Sequence, residues 1–338
     1  MILGLFIILL LVLFLPFTVR KIESNLEYFL FIMGILAALV GGVLNKELVL
    51  KALEDPLKIT AAVLIAGLLF KWYQRQFGTI IDSISHKIPF PLFIALMVII
   101  LGLLSSVITA IIAALVLVLI VGNLSLARKD EILLTVLACF SIGLGATLTP
   151  IGEPLSTIVT SKMEEDFFYL FDLVGPLVIP GVFVIGFFTA FVVKRNEEIG
   201  TKEVQESESY LEIFIRALKI YLFVFGLTML GAGFEPLINT YLLDLSPKVL
   251  YWINMLSAVL DNATLAAAEI SPVMTEKTVE AILLGLLVSG GMLIPGNIPN
   301  IISAGKLNIS SKEWAKVGVP VGLVILVIYF VLLVFFGL

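Results

Sequence analysis

Apolar runs bounded by charged or turn residues recur along the whole chain, near 2–19, 27–44, 57–73, 167–193, 211–231 and 316–337. Each approaches the roughly 17–25 residues that cross a bilayer as a helix, so each is predicted to span. Four further stretches are apolar but interrupted. Residues 91–121 and 248–274 carry small or polar groups midway, at Ser105-Ser106 and from Ser257 to Thr264. Half of either stretch is too short to cross at about 1.5 Å per residue, which predicts two re-entrant hairpins. Residues 131–162 and 278–305 are broken by glycine and proline, around Pro150 and Pro154 and around Pro295 and Pro299. Proline removes a helical donor and clashes with the preceding turn, so both are predicted as broken transmembrane helices.

The interruptions come in the same order in both halves. Ser105-Ser-Val-Ile-Thr-Ala110 aligns with Ser257-Ala-Val-Leu-Asp-Asn262 at an offset of 152, and the proline pairs align at an offset of 145. Nearly equal offsets indicate an internal repeat. The predicted organisation is N-terminal helices over 1–56, a first repeat over 57–193, a charged linker over 194–210 and a second repeat over 211–338. The fold class is all-α and polytopic. With the N-terminus outside, fifteen of the 21 Lys and Arg residues fall on the cytoplasmic side, including Arg20, Lys21, Arg128, Lys194 and Arg216. That asymmetry has the sign the positive-inside rule requires. It makes the two hairpins open to opposite sides, as in inverted-repeat transporters, with both termini outside a plasma membrane.

Composition sharpens the class. Hydrophobic residues make up 60% of the 338 and charged residues 14%, and the mean hydropathy is +1.14. A soluble domain carries about a quarter of its residues as charges. Basic residues are dispersed over loops, so nucleic acid is not an expected partner; the lipid bilayer is. Residues 1–19 lack the positive n-region of a secretory signal. The single cysteine, Cys139, lies in an apolar run and reads as packing, and one cysteine excludes an intrachain disulfide.

Ionisable groups at membrane depth are costly and are functional candidates by default. Asp261 falls at the tip of the second hairpin, with Asn262 and Thr264 following and Ser257 before it; Glu153 falls between the prolines of the first break, beside Thr147 and Thr149. Asn297 and Asn300 lie in the second break, and Ser105 and Thr109 at the first hairpin tip. No Lys, Arg or His falls inside these interruptions. Carboxylates, amides and unwound carbonyls offer hard oxygen ligands to a small cation, and a buried carboxyl can also take up a proton. Asp261 and Glu153 are therefore the candidate Na⁺ ligands. Asp261 and Glu153 each have a second reading as helix caps, and Asn297 and Asn300 as caps for freed backbone groups. Glu269 reads as an outer-mouth acid or an interfacial residue, Asp172 and Glu235 as interfacial, and His86 as a loop residue near Pro89.

The strings Gly145-Ala-Thr-Leu-Thr-Pro-Ile-Gly-Glu-Pro154, Ser257-Ala-Val-Leu-Asp-Asn262 and Gly290-Gly-Met-Leu-Ile-Pro-Gly-Asn-Ile-Pro-Asn300 resemble the ion transporter superfamily. The likeness is to its arsenite-permease and NhaD-type sodium/proton antiporter branch, and within that to a compact prokaryotic family of predicted cation transporters. It runs from about residue 57 to the C-terminus. The resemblance implies a homodimer of scaffold and transport domains with elevator-like alternating access. It matches Asp261-Asn262 to the antiporter hairpin tip and Thr149-Pro150 to the broken helix. The first hairpin departs from the pattern, because Thr109-Ala110 stands where the antiporters have a second acid–amide pair.

The expected function is secondary active cation transport, most simply Na⁺/H⁺ exchange, with Na⁺ and H⁺ as transported ions and no cofactor. An anion permease for arsenite or a dicarboxylate is the alternative. An intramembrane aspartyl protease would need two facing aspartates, so an enzyme is not expected.

Overall fold

The computed structural model describes residues 1–23, 25–124, 126–195, 209–241, 245–259, 262–270 and 273–335. The described residues are helical, with no strand among them. The chain begins with α1 (Ile2–Thr18), α2 (Arg20–Glu23), α3 (Leu26–Gly41) and α4 (Lys46–Lys87). It continues as α5 (Phe90–Ile108), α6 (Ala110–Asn123), α7 (Arg128–Ala146), α8 (Pro154–Met163) and α9 (Tyr169–Val192). The second half holds α10 (Tyr210–Tyr241), α11 (Pro247–Ile253), α12 (Asn262–Glu269), α13 (Glu276–Met292), α14 (Ile298–Leu307) and α15 (Ser311–Phe335). Most of the predicted linker 194–210 lies outside the described residues.

Among the described residues four helices are long and apolar enough to cross a membrane: Phe90–Ile108, Tyr169–Val192, Tyr210–Leu237 and Ser311–Phe335. Their outward faces carry large apolar side chains, such as Phe183, Phe187 and Phe191 on α9 and Val324, Val327 and Val331 on α15, all exposed. Such a surface suits lipid and not water, and marks the protein as membrane-embedded. The predicted spans near 2–19 and 27–44 are helices of 17 and 16 residues, at or below the short end of the spanning range.

Two expectations are corrected. The predicted boundary at 56/57 falls inside α4, which runs unbroken through Pro56. The first hairpin does not break at Ser105-Ser106. Both hydroxyls fold back onto carbonyls one turn earlier, Ser105 Oγ to Gly102 O at 2.6 Å and Ser106 Oγ to Leu103 O at 2.7 Å. The helix tolerates them, and the break comes at Thr109, whose φ is 77°. The first arm is thereby 19 residues long, enough to cross, contrary to the half-length expected of it. The second hairpin is interrupted by a 3₁₀ turn over Asn254–Ala258, which meets the predicted interruption at Ser257 and Ala258, while α12 takes in Asn262 to Thr264, the far end of the predicted stretch.

Both broken helices are present. α7 and α13 are buried on nearly every side, as a helix apolar all round must be. Each stops at its glycine–proline segment and resumes as a ten-residue helix, α8 or α14. α5 and α11 pack on α7 and α13 respectively, while the second arms cross over, α6 onto α14 and α12 onto α8. Landmarks recur at fixed spacing. α6 and α12 start at residues 110 and 262, which differ by 152. The residues preceding α8 and α14 are 153 and 297, and the left-handed residues ending them are Glu164 and Asn308, both pairs differing by 144. The proline alignment of 145 is thus one residue off: Pro154 takes the first position of α8 and Pro299 the second of α14. Either is tolerated, because first-turn N–H groups have no helical partner.

A tight seam fixes α3 against α10. A Cβ on Gly34 would collide with the carbonyl oxygen of Gly226, and one on Gly41 would stand 2.5 Å from that of Gly233. Small residues let membrane helices approach this closely.

Candidate functional site

The first break is held by its own polar groups. Thr149 Oγ1 donates to Ser106 O at 2.5 Å, and the Ala110 amide at the head of α6 donates to Gly152 O at 2.8 Å. The hairpin tip is thereby tied to the break. Gly152 must be glycine, since a Cβ there would collide with the carbonyl of Ala146. Glu153 occupies the cap position of α8 with extended backbone, but its side chain makes no capping bond. Instead Thr147 Oγ1 lies 2.8 Å from Glu153 Oε1 and 3.3 Å from Gly143 O, and donates to one of them at a time. Glu153 is buried, with 7% of its surface exposed. The capping account of this carboxylate is therefore set aside: α8's free N–H groups contribute a favourable field, and the carboxylate turns back into the break.

The second break is built on the same plan with different side chains. Asn297 stands where Glu153 stands, buried, extended and likewise without a capping bond. Asn300 Nδ2 donates to Gly290 O at 2.8 Å and Leu293 O at 2.9 Å, taking carbonyls that α13 leaves at its end. Its Oδ1 is buried without a hydrogen-bond partner. The second hairpin reaches in beside it. A Cβ on Gly290 would lie 2.7 Å from the Asn262 amide, and one on Gly296 would lie 2.8 Å from Ser257 O. Asn262 Oδ1 is also buried without a partner.

The two breaks meet at Gly143. On one side its carbonyl faces Thr147; on the other, a Cβ built on it would come within 2.8 Å of Asn297 Nδ2. Glu153, Thr147, Asn297, Asn300 and Asn262 are thus gathered around the interrupted ends of α7 and α13. Cys139, one turn below Gly143, is buried with Sγ 3.4 Å from Ser303 Oγ of α14, which agrees with a packing role.

The remaining predicted residues divide by role. Ser257 is a buried staple, donating to Leu286 O at 3.0 Å, and the one Ser105 hydroxyl proton serves Gly102 O at 2.6 Å or Ile142 O at 3.0 Å. Thr109 caps α6, accepting from the Ile112 amide at 3.4 Å. Pro150 and Pro295 lie in the two interruptions as expected. Asp261 lies outside the described residues, as do the side chains of Thr264 and His86. Asp172 and Glu235 are exposed. Among the described residues no group of three or more His, Cys, Asp or Glu converges to hold a metal, so an ion at the breaks would draw on amide, hydroxyl and carbonyl oxygens beside one carboxylate. Sequence reasoning passed over Asn254 and Ser289, both fully buried in otherwise apolar helices; a lone polar residue amid such runs was the available signal.

A cavity of about 640 Å³ opens between α10 and α14, lined by Arg216, Ile220, Phe223, Ile301 and Ala304 and reaching Ile294 in the second break. Lys219 at its rim pairs with Glu27.

The family model described as "Protein of unknown function (DUF1646)" matches residues 2–336. No curated protein matches the chain.

Proposed function

The chain belongs to the DUF1646 family, and we propose that it is a secondary active cation transporter, exchanging Na⁺ or Li⁺ for H⁺ at the two helix breaks. One observation carries this reading: Glu153 and Asn297, at matching positions ahead of α8 and α14, both have buried side chains that do not cap, Glu153 meeting Thr147 beside the Gly143 carbonyl and Asn297 lying against Gly143 itself. A buried carboxylate in an interruption whose sequence holds no Lys, Arg or His attracts a cation or a proton and repels an anion. Carbonyls freed by the breaks supply further oxygen ligands, as in transporters whose half-helices meet near the midplane.

The matched spacing of landmarks and the exchanged packing of α6 on α14 and α12 on α8 support two inverted repeats around that site. The cavity along α14 supports an aqueous path to the second break. In this reading the hairpins and broken helices move as a transport unit against a scaffold that includes the α3–α10 seam, in a plasma-membrane homodimer of the ion transporter superfamily type. Asp261, next to Asn262, supplies a second carboxylate.

The test is proton movement in proteoliposomes loaded with a pH dye. Adding Na⁺, but not choline, drives protons out in the wild type, and Glu153→Gln or Asp261→Asn abolishes the signal. A wild-type signal that never responds to Na⁺ or Li⁺ overturns the proposal. The half-helix N-termini at both breaks favour anions and motivate the anion-permease reading. Uptake of labelled arsenite or dicarboxylate that survives both substitutions would establish it.

A further inference from the structure

A second polar cluster lies away from the breaks, between the second hairpin and α13. It consists of Asn254 in the 3₁₀ turn, Glu269 at the end of α12 and Ser289 on α13, with exposures of 1%, 1% and 0%. The Asn254 carboxamide lies beside the Glu269 carboxyl. Asn254 also packs against Gly285, where a Cβ would come 3.2 Å from its own. Ser289 follows one turn later on that face of α13. Yet Asn254 Nδ2 and Oδ1, Glu269 Oε1 and Oε2, and Ser289 Oγ are all buried, and beyond the approach of Asn254 to Glu269 none has a hydrogen-bond partner. Lys162 is nearby, its ammonium donating to Ile270 O at 3.2 Å.

Native proteins rarely leave buried polar groups unpaired, and a lone buried carboxylate is the costliest case. Something complements these atoms. Four of the five are oxygens, the donor set of a hard cation. A single carboxylate neutralises one positive charge, so a divalent ion would leave net charge in an apolar surround. A proton on Glu269 would let its carboxyl pair with the Asn254 carboxamide, the state that an arriving cation displaces, and would leave Ser289 Oγ unserved.

We infer that Glu269, Asn254 and Ser289 form a second binding site for a monovalent cation of the sodium or lithium class. Seven residues of α12 separate Glu269 from Asn262, about 10 Å along the helix. The site therefore stands between the breaks and the loop that joins α12 to α13, where an ion pauses on its way to or from the tip. The identity of the ion rests on the cation-transport reading; the existence of the site rests on the unpaired atoms.

Equilibrium binding of radiolabelled Na⁺ to the purified full-length protein tests it without requiring transport. The wild type binds two ions per chain, Glu269→Gln one, and Glu153→Gln one. If Glu269→Gln binds as many as the wild type, this inference falls alone, because ordered water then satisfies the cluster. If no form binds Na⁺ or Li⁺, both readings fall together. Wild-type protein gives an independent check should Glu269→Gln not fold. A carbodiimide, which modifies buried carboxyls, labels Glu269 in choline chloride, and NaCl at equal ionic strength slows the labelling severalfold, read by peptide mass spectrometry. Labelling that is absent or indifferent to Na⁺ overturns the site.

Discussion

The two hairpin–break junctions share a backbone plan and differ in how their polar groups are used. At the first, Ser105, Ser106, Ser141 and Thr149 all donate to carbonyl oxygens at 2.5–3.0 Å, and Thr147 serves Glu153. At the second, Ser257 and the Asn300 amide do the same work. There, however, the Asn262 and Asn300 oxygens are buried with no partner, and away from the break Asn254, Glu269 and Ser289 on the same hairpin and helix hold further buried polar atoms. On the first side the unpaired buried atoms are the hydroxyls of Ser156 and Thr160, along α8 beyond the break, so the break itself is a closed joint, while the second side keeps carboxamide and carboxyl groups in reserve. The first contributes a single carboxylate, Glu153, where the two meet.

The largest test of that contrast uses one methyl group at each junction. A Cβ on Gly145 would collide with the backbone carbonyl of Gly102, whereas one on Gly290 would meet the movable Asn262 side chain at 2.7 Å and stand 2.9 Å from the Gly296 carbonyl oxygen, a much milder backbone contact. Overpacking against backbone costs about 3 kcal/mol or more. Gly145→Ala is expected to lose the monodisperse folded protein on extraction. Gly290→Ala should extract normally and lose the Na⁺-driven proton signal. If the two variants behave alike in both size-exclusion profile and transport, the junctions do not differ in kind.

Polar-to-apolar substitutions should have opposite signs at the two sites. An unpaired buried polar atom costs about 1–3 kcal/mol, and removing it recovers part of that. Asn262→Leu is therefore expected to raise the melting temperature measured without Na⁺, and to erase any further rise when Na⁺ is added. Thr149→Val deprives Ser106 O of its donor, and should lower stability by about 1–2 kcal/mol whether or not Na⁺ is present. A destabilised Asn262→Leu that still responds to Na⁺ would show that the second junction is as closed as the first.

Much of this frame was legible in the chain because glycine and proline act locally. α7 and α13 stop ahead of the pairs Pro150–Pro154 and Pro295–Pro299, although α4 runs through Pro56 and α9 through Pro176 and Pro180. Serine is weaker punctuation: in an apolar helix Ser105 satisfies itself on Gly102 O, so the break moved to Thr109. The direction of Glu153 was equally hidden, since an acid ahead of a helix reads as a cap, and only the position of Thr147 across the turn draws it away. Asn254 and Ser289 gave no periodic signal. Their importance lies in what fails to face them, a property of packing that composition does not carry. Gly143 matters for the same reason, as the point where two distant segments come together.

The smallest expected effect lies at the far ends of α8 and α14, where the junctions are again matched. Glu164 and Asn308 both adopt left-handed backbone, with φ of 58° and 51°. That conformation costs a residue with a Cβ about 1 kcal/mol or somewhat more, and asparagine less, because its short amide bonds locally. Glu164→Gly should raise the melting temperature by the larger amount, corresponding to about 0.5–1 kcal/mol after glycine's greater unfolded-state entropy is counted. Asn308→Gly should change it by a few tenths at most. Arg128 holds the carbonyls of Leu307 and Asn308 at 2.9 and 2.8 Å in either case, so that end stays pinned whichever residue occupies 308. A gain at Asn308 equal to that at Glu164 would mean the strain is set by the fold and not by side-chain chemistry. The two halves would then differ only at the junctions themselves.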